Sequence, residues 1–158
     1  MQPPHEKLED AIGFLMWDAA RSLTKHYNQT LMLHGISVGV FPFLRSLWEK
    51  DGVTQRQLAD RIGVTGSTTV VALRQLEQAG YIQRSVDEKD ARKVLVTLTD
   101  SGRSLHALVI PEISVVTNTS MSDFTDQERQ QLRSLLQRFR NNMSQGMQPR
   151  KPAKAARG

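Results

Sequence analysis

The chain has 158 residues, 39% of them hydrophobic, and a formal net charge of +5, a size that suits one domain or one domain with a helical extension. It contains no cysteine, which excludes disulfides, thiolate metal sites and cysteine redox sensing and fits a cytoplasmic protein. Arg150, Lys151, Lys154 and Arg157 lie in an acid-free tail, which leaves 17 basic against 16 acidic side chains in the first 149 residues, so attraction for a polyanion must come from placement rather than bulk charge.

No apolar run approaches the roughly 20 residues of a membrane span, and Met1-Gln2-Pro3-Pro4-His5-Glu6 does not read as a signal peptide. Residues 1–5 carry no pattern. From Glu6 to Leu33 a long helix is expected: Leu8, Ile12, Leu15, Ala19, Leu23 and Tyr27 recur at alternating spacings of four and three, a heptad-like seam. A second line, Phe14, Trp17, Arg21 and Thr24, lies around the cylinder. A helix with more than one apolar face needs more than its own small domain to cover it, and a second subunit is the natural cover.

Gly35 ends that helix. Ser37 is positioned to cap the next, with Ile36 and Phe41 as a hydrophobic staple and Pro42 near the first turn, where its missing amide costs least. This second helix should run to about Lys50, with Val40, Phe41, Leu44, Leu47 and Trp48 inward and Asp51-Gly52 terminating it.

The next stretch is the most organised. Thr54 and Gln57 have the spacing of a capping box; Leu58, Ala59 and Ile62 form one stripe, and Gly63 is the left-handed stop. Thr65 then caps a second short helix after a tight turn. Thr69, Ala72, Leu73 and Leu76 share one face, while Ser67, Thr68, Val70, Val71, Arg74, Gln75 and Gln78 share the other, with Gly80 closing the helix. Tyr81–Val86 and Lys93–Leu98 are β-rich and alternate, and the polar stretch from Asp87 to Arg92 between them is a hairpin tip. The whole is the plan of a winged helix-turn-helix, which lays one helix in the DNA major groove. An arginine at such a tip suits an adjacent minor groove, and Asp90 is close enough to hold the Arg92 guanidinium in a bidentate pair.

Thr99 caps a further helix from about Asp100 to Ser120, and Pro111 in its middle is expected to kink it. Thr125-Asp126-Gln127-Glu128 is a second capping box. It opens a last helix with a stripe of Leu132, Leu135, Leu136, Phe139 and Met143. From Gly146 the Pro, Ala, Lys and Arg composition reads as a disordered basic arm.

At the central stretch the sequence resembles the MarR family of bacterial transcriptional regulators. The family's wing commonly reads Asp-x-Arg-Asp-x-Arg followed by a strand ending in Leu-Thr-x-x-Gly. Here the residues are Asp87-Glu88-Lys89-Asp90-Ala91-Arg92, then Leu98-Thr99-Asp100-Ser101-Gly102. Leu76, Gly80 and Arg84 match its Leu-Glu-x-x-Gly-x-x-x-Arg, and helices are expected where the family has them from about Leu8 to Met143. Two departures are Lys89, where arginine is usual, and Val71, where a polar or basic residue is common; an outward valine suits contact with a thymine methyl.

The resemblance implies a mainly α fold, a winged helix-turn-helix with a small β-hairpin wing between long N- and C-terminal dimerisation helices. The expected division is an N-terminal dimerisation helix in residues 1–35, the DNA-binding domain in 36–99, C-terminal dimerisation helices in 100–145 and the basic tail in 146–158. The candidate DNA-contacting residues are Thr54, Ser67, Thr68, Val71, Arg74, Gln75, Arg84, Lys89, Asp90, Arg92 and Lys93. The implied partners are a second copy of the chain, a palindromic double-stranded operator with half-sites about 34 Å apart, and a small aromatic or phenolic effector that releases a repressor. Trp17 and Arg21, four apart on the first helix, offer an aromatic wall and a cation; His34 and Arg45 flank the start of the second helix, and these four are the candidate effector residues.

No cofactor or metal is expected: His5, His26, His34 and His106 show no ligand spacing. Nor is an enzyme, since there is no Gly-rich phosphate loop, no His-Glu-x-x-His and no nucleophile elbow. Two alternatives stay open on the residues alone: a ligand-independent architectural or constitutive DNA-binding protein, and a winged-helix protein-interaction module.

Overall fold

The computed structural model describes residues 7–87 and 90–146. A 3₁₀ turn, Leu8–Asp10, precedes the first helix, α1 (Ile12–Met32), which therefore starts six residues later than the apolar pattern suggests. Ala11 stands between them in an extended conformation with no side-chain cap. The spacing of Leu8, Ile12 and Leu15 runs across this break in the sequence, so periodicity does not reveal it.

The end of α1 is a Schellman closure, with Ile36 N–H on Leu31 O and Gly35 N–H on Met32 O. Ser37 does not cap the next helix. Its carbonyl accepts from Val40 N–H in a turn, the Val38 amide donates to Asn28 Oδ1 of α1 at 3.0 Å, and α2 (Phe41–Glu49) starts with Val40 as an N-cap without a side-chain bond. Pro42 explains the shift. A helix begun at Ser37 would bury the proline ring against a carbonyl one turn back, whereas a start at Phe41 puts Pro42 in the first turn.

Helices α3 (Gln55–Ile62) and α4 (Gly66–Gln78) follow as expected. Thr54 Oγ1 accepts from Gln57 N–H while Gln57 Oε1 accepts from Thr54 N–H, completing the capping box. Gly63 and Gly80 sit at φ 75° and 76°, a region costly for any residue with a Cβ, and each closes a helix so that the next element starts at once. A three-stranded antiparallel sheet has the order β1 (Val53–Thr54), β3 (Val94–Leu98), β2 (Ile82–Val86). Its register pairs Ile82 with Leu98, Val86 with Val94, and Val53 with Val96.

Thr99 Oγ1 accepts from Gly102 N–H and opens α5 (Asp100–Thr119), which runs as one helix through Pro111. The core is continuous from Leu31 at the end of α1 through Phe43, Leu44 and Leu47 of α2, Leu58 of α3, Leu73 and Leu76 of α4, and Val96 of the sheet, to Leu105 and Val109 of α5. These elements form one compact unit ending at Thr119; a second unit begins at Ser120 and contains α6 (Asp126–Gly146). Within it, Glu128 Oε2 accepts from Thr125 N–H and Thr125 Oγ1 from Glu128 N–H. The Arg129 guanidinium donates to the Met121 and Phe124 carbonyls.

Candidate nucleic-acid interface

Helix α4 is held from below and open on its outer side. Thr65 Oγ1 accepts from Thr68 N–H at 3.3 Å and lies within hydrogen-bond distance of the Ser67 and Thr68 hydroxyls. Three hydroxyls therefore gather where the helix presents unpaired amides. Thr69 is fully buried, with its hydroxyl returned to Thr65 O at 3.0 Å, and Ala72, Leu73 and Leu76 complete the buried face. Ser67, Thr68, Val70, Val71, Arg74, Gln75 and Gln78 are all exposed. Among the described residues, Arg74 has no ion-pair partner.

The hairpin tip is shaped by carboxylates. Asp87 Oδ1 accepts from Asp90 N–H, and Asp90 Oδ1 accepts both from Arg92 N–H at 3.1 Å and from Arg92 Nε at 3.2 Å. Asp90 Oδ2 faces Lys93 Nζ at 3.4 Å. The Arg92 amide, then its side chain, then Lys93 hold the Asp90 carboxyl below its ordinary range. The expected bidentate pair is not formed: one oxygen takes both Arg92 bonds because the tight turn brings the backbone amide to it first. The terminal nitrogens of Arg92 are thereby left outward, on a side chain 92% exposed. Lys89 lies outside the described residues.

Two of the candidates are engaged elsewhere. Thr54 Oγ1 is taken up by its capping box. Arg84 of β2 places Nε and Nη2 on Glu77 Oε2 of α4, the former at 3.1 Å. That pair lowers the Glu77 pKa and raises that of Arg84, mainly through the hydrogen bonds. Arg84 thus ties the wing strand to α4.

Sequence reasoning missed Asp51 as a joint of the wing. Its Oδ1 accepts from Gly52 N–H and Leu98 N–H, both at 2.8 Å, and its Oδ2 from Arg103 Nη1 at 2.6 Å. One carboxylate thereby joins the start of β1, the end of β3 and α5. The Asp-Gly pair signalled a helix end; its partners 47 and 52 residues away left no local trace. Tyr81 likewise donates its hydroxyl to His34 O at 2.8 Å, linking the wing to the end of α1.

Of the four effector candidates, Trp17 and Arg21 stand together and His34 and Arg45 have other surroundings. Arg21 lies over the Trp17 ring at 5.5 Å and is paired with Asp18 at 2.6 Å. His34 Nε2 is 2.7 Å from Glu112 Oε2 of α5, and Arg45 is exposed on α2. A groove of about 370 Å³ at the C-terminal end of α4 is lined by Met32, Gly35, Ile36, Ser37, Val40, Gln75, Leu76, Gln78 and Ala79. Among the described residues no group of His, Asp or Glu could hold a metal ion, and no helix is long and apolar enough to cross a membrane.

The MarR family model matches residues 36–94, the span from the α1–α2 turn to the first residue of β3. The chain is 31% identical over 134 residues to the organic hydroperoxide resistance transcriptional regulator of Bacillus subtilis, covering 84% of this chain and 88% of that protein. Its fold is similar to a MarR transcriptional regulator from Methanosarcina mazei (TM-score 0.79, 30% identity, 86% of this chain and 98% of the other). It is also similar to the Staphylococcus aureus MepR–DNA complex (TM-score 0.77, 25% identity, 84% and 98%). Sequence likeness across most of both chains, and a helix-turn-helix with a charged wing, lead to one conclusion: the chain belongs to the MarR family and is a DNA-binding, non-enzymatic transcriptional regulator.

Proposed function

We propose that the chain acts as a homodimer on a palindromic duplex operator, as a repressor that a small aromatic or phenolic compound releases. In this reading Ser67, Thr68, Val71, Arg74 and Gln75 meet base edges and phosphates in the major groove. The tip residues Asp90, Arg92 and Lys93 lie over the flanking minor groove, with Arg92 inserted, and Lys89 adds its charge to the same segment of sequence. The observation that carries the reading is the pairing of an exposed polar face on α4, with Arg74 unpaired among the described residues, and an Arg92 guanidinium held at its base by Asp90 and open at its end. The structure of a relative bound to DNA supports it by analogy.

Arg92→Ala tests it. Gel-shift titrations on the operator should show about tenfold weaker binding. The slope of log affinity against log salt should fall by about 0.9, or the preference for A·T-rich flanks should relax. Unchanged affinity and slope would remove the wing from recognition.

Release is a population shift: an effector weakens DNA binding only by its preference for one arrangement over another. The groove at the C-terminal end of α4 supports this part, because a molecule seated there touches Leu76 and Ala79 and also Gln75 and Gln78, which share the outward face of the same helix. Benzoate, salicylate and 4-hydroxybenzoate added to the gel shift should release the operator at millimolar levels, and a complex indifferent to all three counts against an aromatic acid. The Bacillus relative is named for organic hydroperoxide resistance, but thiol oxidation is closed to a chain without cysteine.

A further inference from the structure

Val70 and Val71 are 40% and 59% exposed on a helix face whose other members, Ser67, Thr68, Arg74, Gln75 and Gln78, are polar. At about 100° per residue, Val71 stands at the middle of that arc, with Ser67, Arg74, Gln75 and Gln78 within about 60° of it. Neither valine serves the helix, since β-branched residues are poorer helix formers than alanine, arginine or glutamine. Neither serves the core, which α4 supplies from Thr69, Ala72, Leu73 and Leu76. An apolar centre on this polar, outward face gains free energy when an apolar partner covers it.

In the major groove one base-edge group is apolar, the C5 methyl of thymine. The other groups are donors and acceptors, which a valine would strip of water without replacing the bond. We propose that Val71, with Val70 beside it, reads thymine methyl groups, so that each half-site carries thymine opposite the middle of α4 and penalises guanine or cytosine there. Ser67, Arg74 and Gln75 around it supply hydrogen bonds to neighbouring bases and phosphates. This inference rests on the operator-binding reading above.

The test begins with selection of binding sites from a random duplex library by the full-length protein. Each thymine of the selected half-site is then replaced by deoxyuridine, which removes only the methyl group. At one or two positions the replacement should weaken binding about fourfold, the worth of one buried methyl. Val71→Ala should bind the thymine site more weakly and become indifferent to uracil at the matching position, while Arg92→Ala keeps the uracil effect. A selected site at which uracil changes nothing overturns the methyl readout and leaves operator binding standing. So does a uracil effect of equal size in wild type, Val70→Ala and Val71→Ala. Failure to enrich any sequence defeats both readings. Both valines are exposed, so loss of fold does not confuse the comparison; urea unfolding of each variant verifies this.

Discussion

Gly102 shows how a single residue is decided by its surroundings. It lies in the first turn of α5 and is buried, and on helix propensity alone alanine there should gain up to about 1 kcal/mol. A Cβ at this position would stand 2.0 Å from Tyr81 O and 2.9 Å from Tyr81 C, both backbone atoms, and 3.2 Å from Leu98 Cδ2. The Gly102 carbonyl meanwhile accepts from Trp48 Nε1 at 2.9 Å, and Thr99 beside it bonds Tyr81 O and Gly80 O. The start of α5 is therefore pressed against the start of the wing and cannot retreat. Gly102→Ala should lower stability by about 2 kcal/mol or more, read as a fall in the urea midpoint followed by Trp fluorescence; a gain would show that α5 can shift. The family motif marks this glycine in the sequence, whereas the reason for it is a contact with residue 81.

At the scale of elements, two helices begin with the same device in different chemistry. Thr54 is paired with a neutral Gln57, Thr125 with an ionised Glu128. Hydrogen bonds from the Thr125 amide and hydroxyl lower the Glu128 pKa. A carboxyl depressed in the folded state contributes stability that is present above its unfolded value and lost as pH falls through the folded one. NMR titration from pH 7 to pH 3 should therefore show the first-turn amides of α6 shifting as Glu128 protonates, while those of α3 stay still. Glu128→Gln should diminish the step and keep the cap. Equal behaviour of the two helices would contradict the assignment. Both boxes were legible because partners three residues apart on one chain need no tertiary information. Strand β1 was not, since two residues are too few to show alternation, and its pairing depends on β3 some forty residues later. The same holds for Arg84, which sequence position placed with the DNA contacts and whose guanidinium goes to Glu77.

For the whole molecule, the apolar side chains left exposed are concentrated on the long helices: Ile12, Leu15 and Trp17 on α1, Leu108 and Val115 on α5, Leu135, Leu136, Phe139 and Met143 on α6. Apolar stripes left exposed on long helices support the homodimer proposed above. Light scattering at micromolar concentration should give twice the chain mass, and Leu136→Asp should shift the protein toward monomer and weaken operator binding in parallel. A wild-type monomer that still protects a palindrome would contradict the dimer.

What the linear order of residues determined by itself was the set of long helices, the caps at Thr54, Thr65, Thr99 and Thr125, the glycine stops, the wing, and which face of α4 turns outward, because those depend on partners within four positions or on a period of 3.6 or 2. Tertiary structure alone decided that Asp51 joins the wing to α5, that Arg84 serves Glu77, and that Gly102 must lack a side chain. Each of these turns on groups brought together by chain closure, which leaves no periodic trace in the sequence.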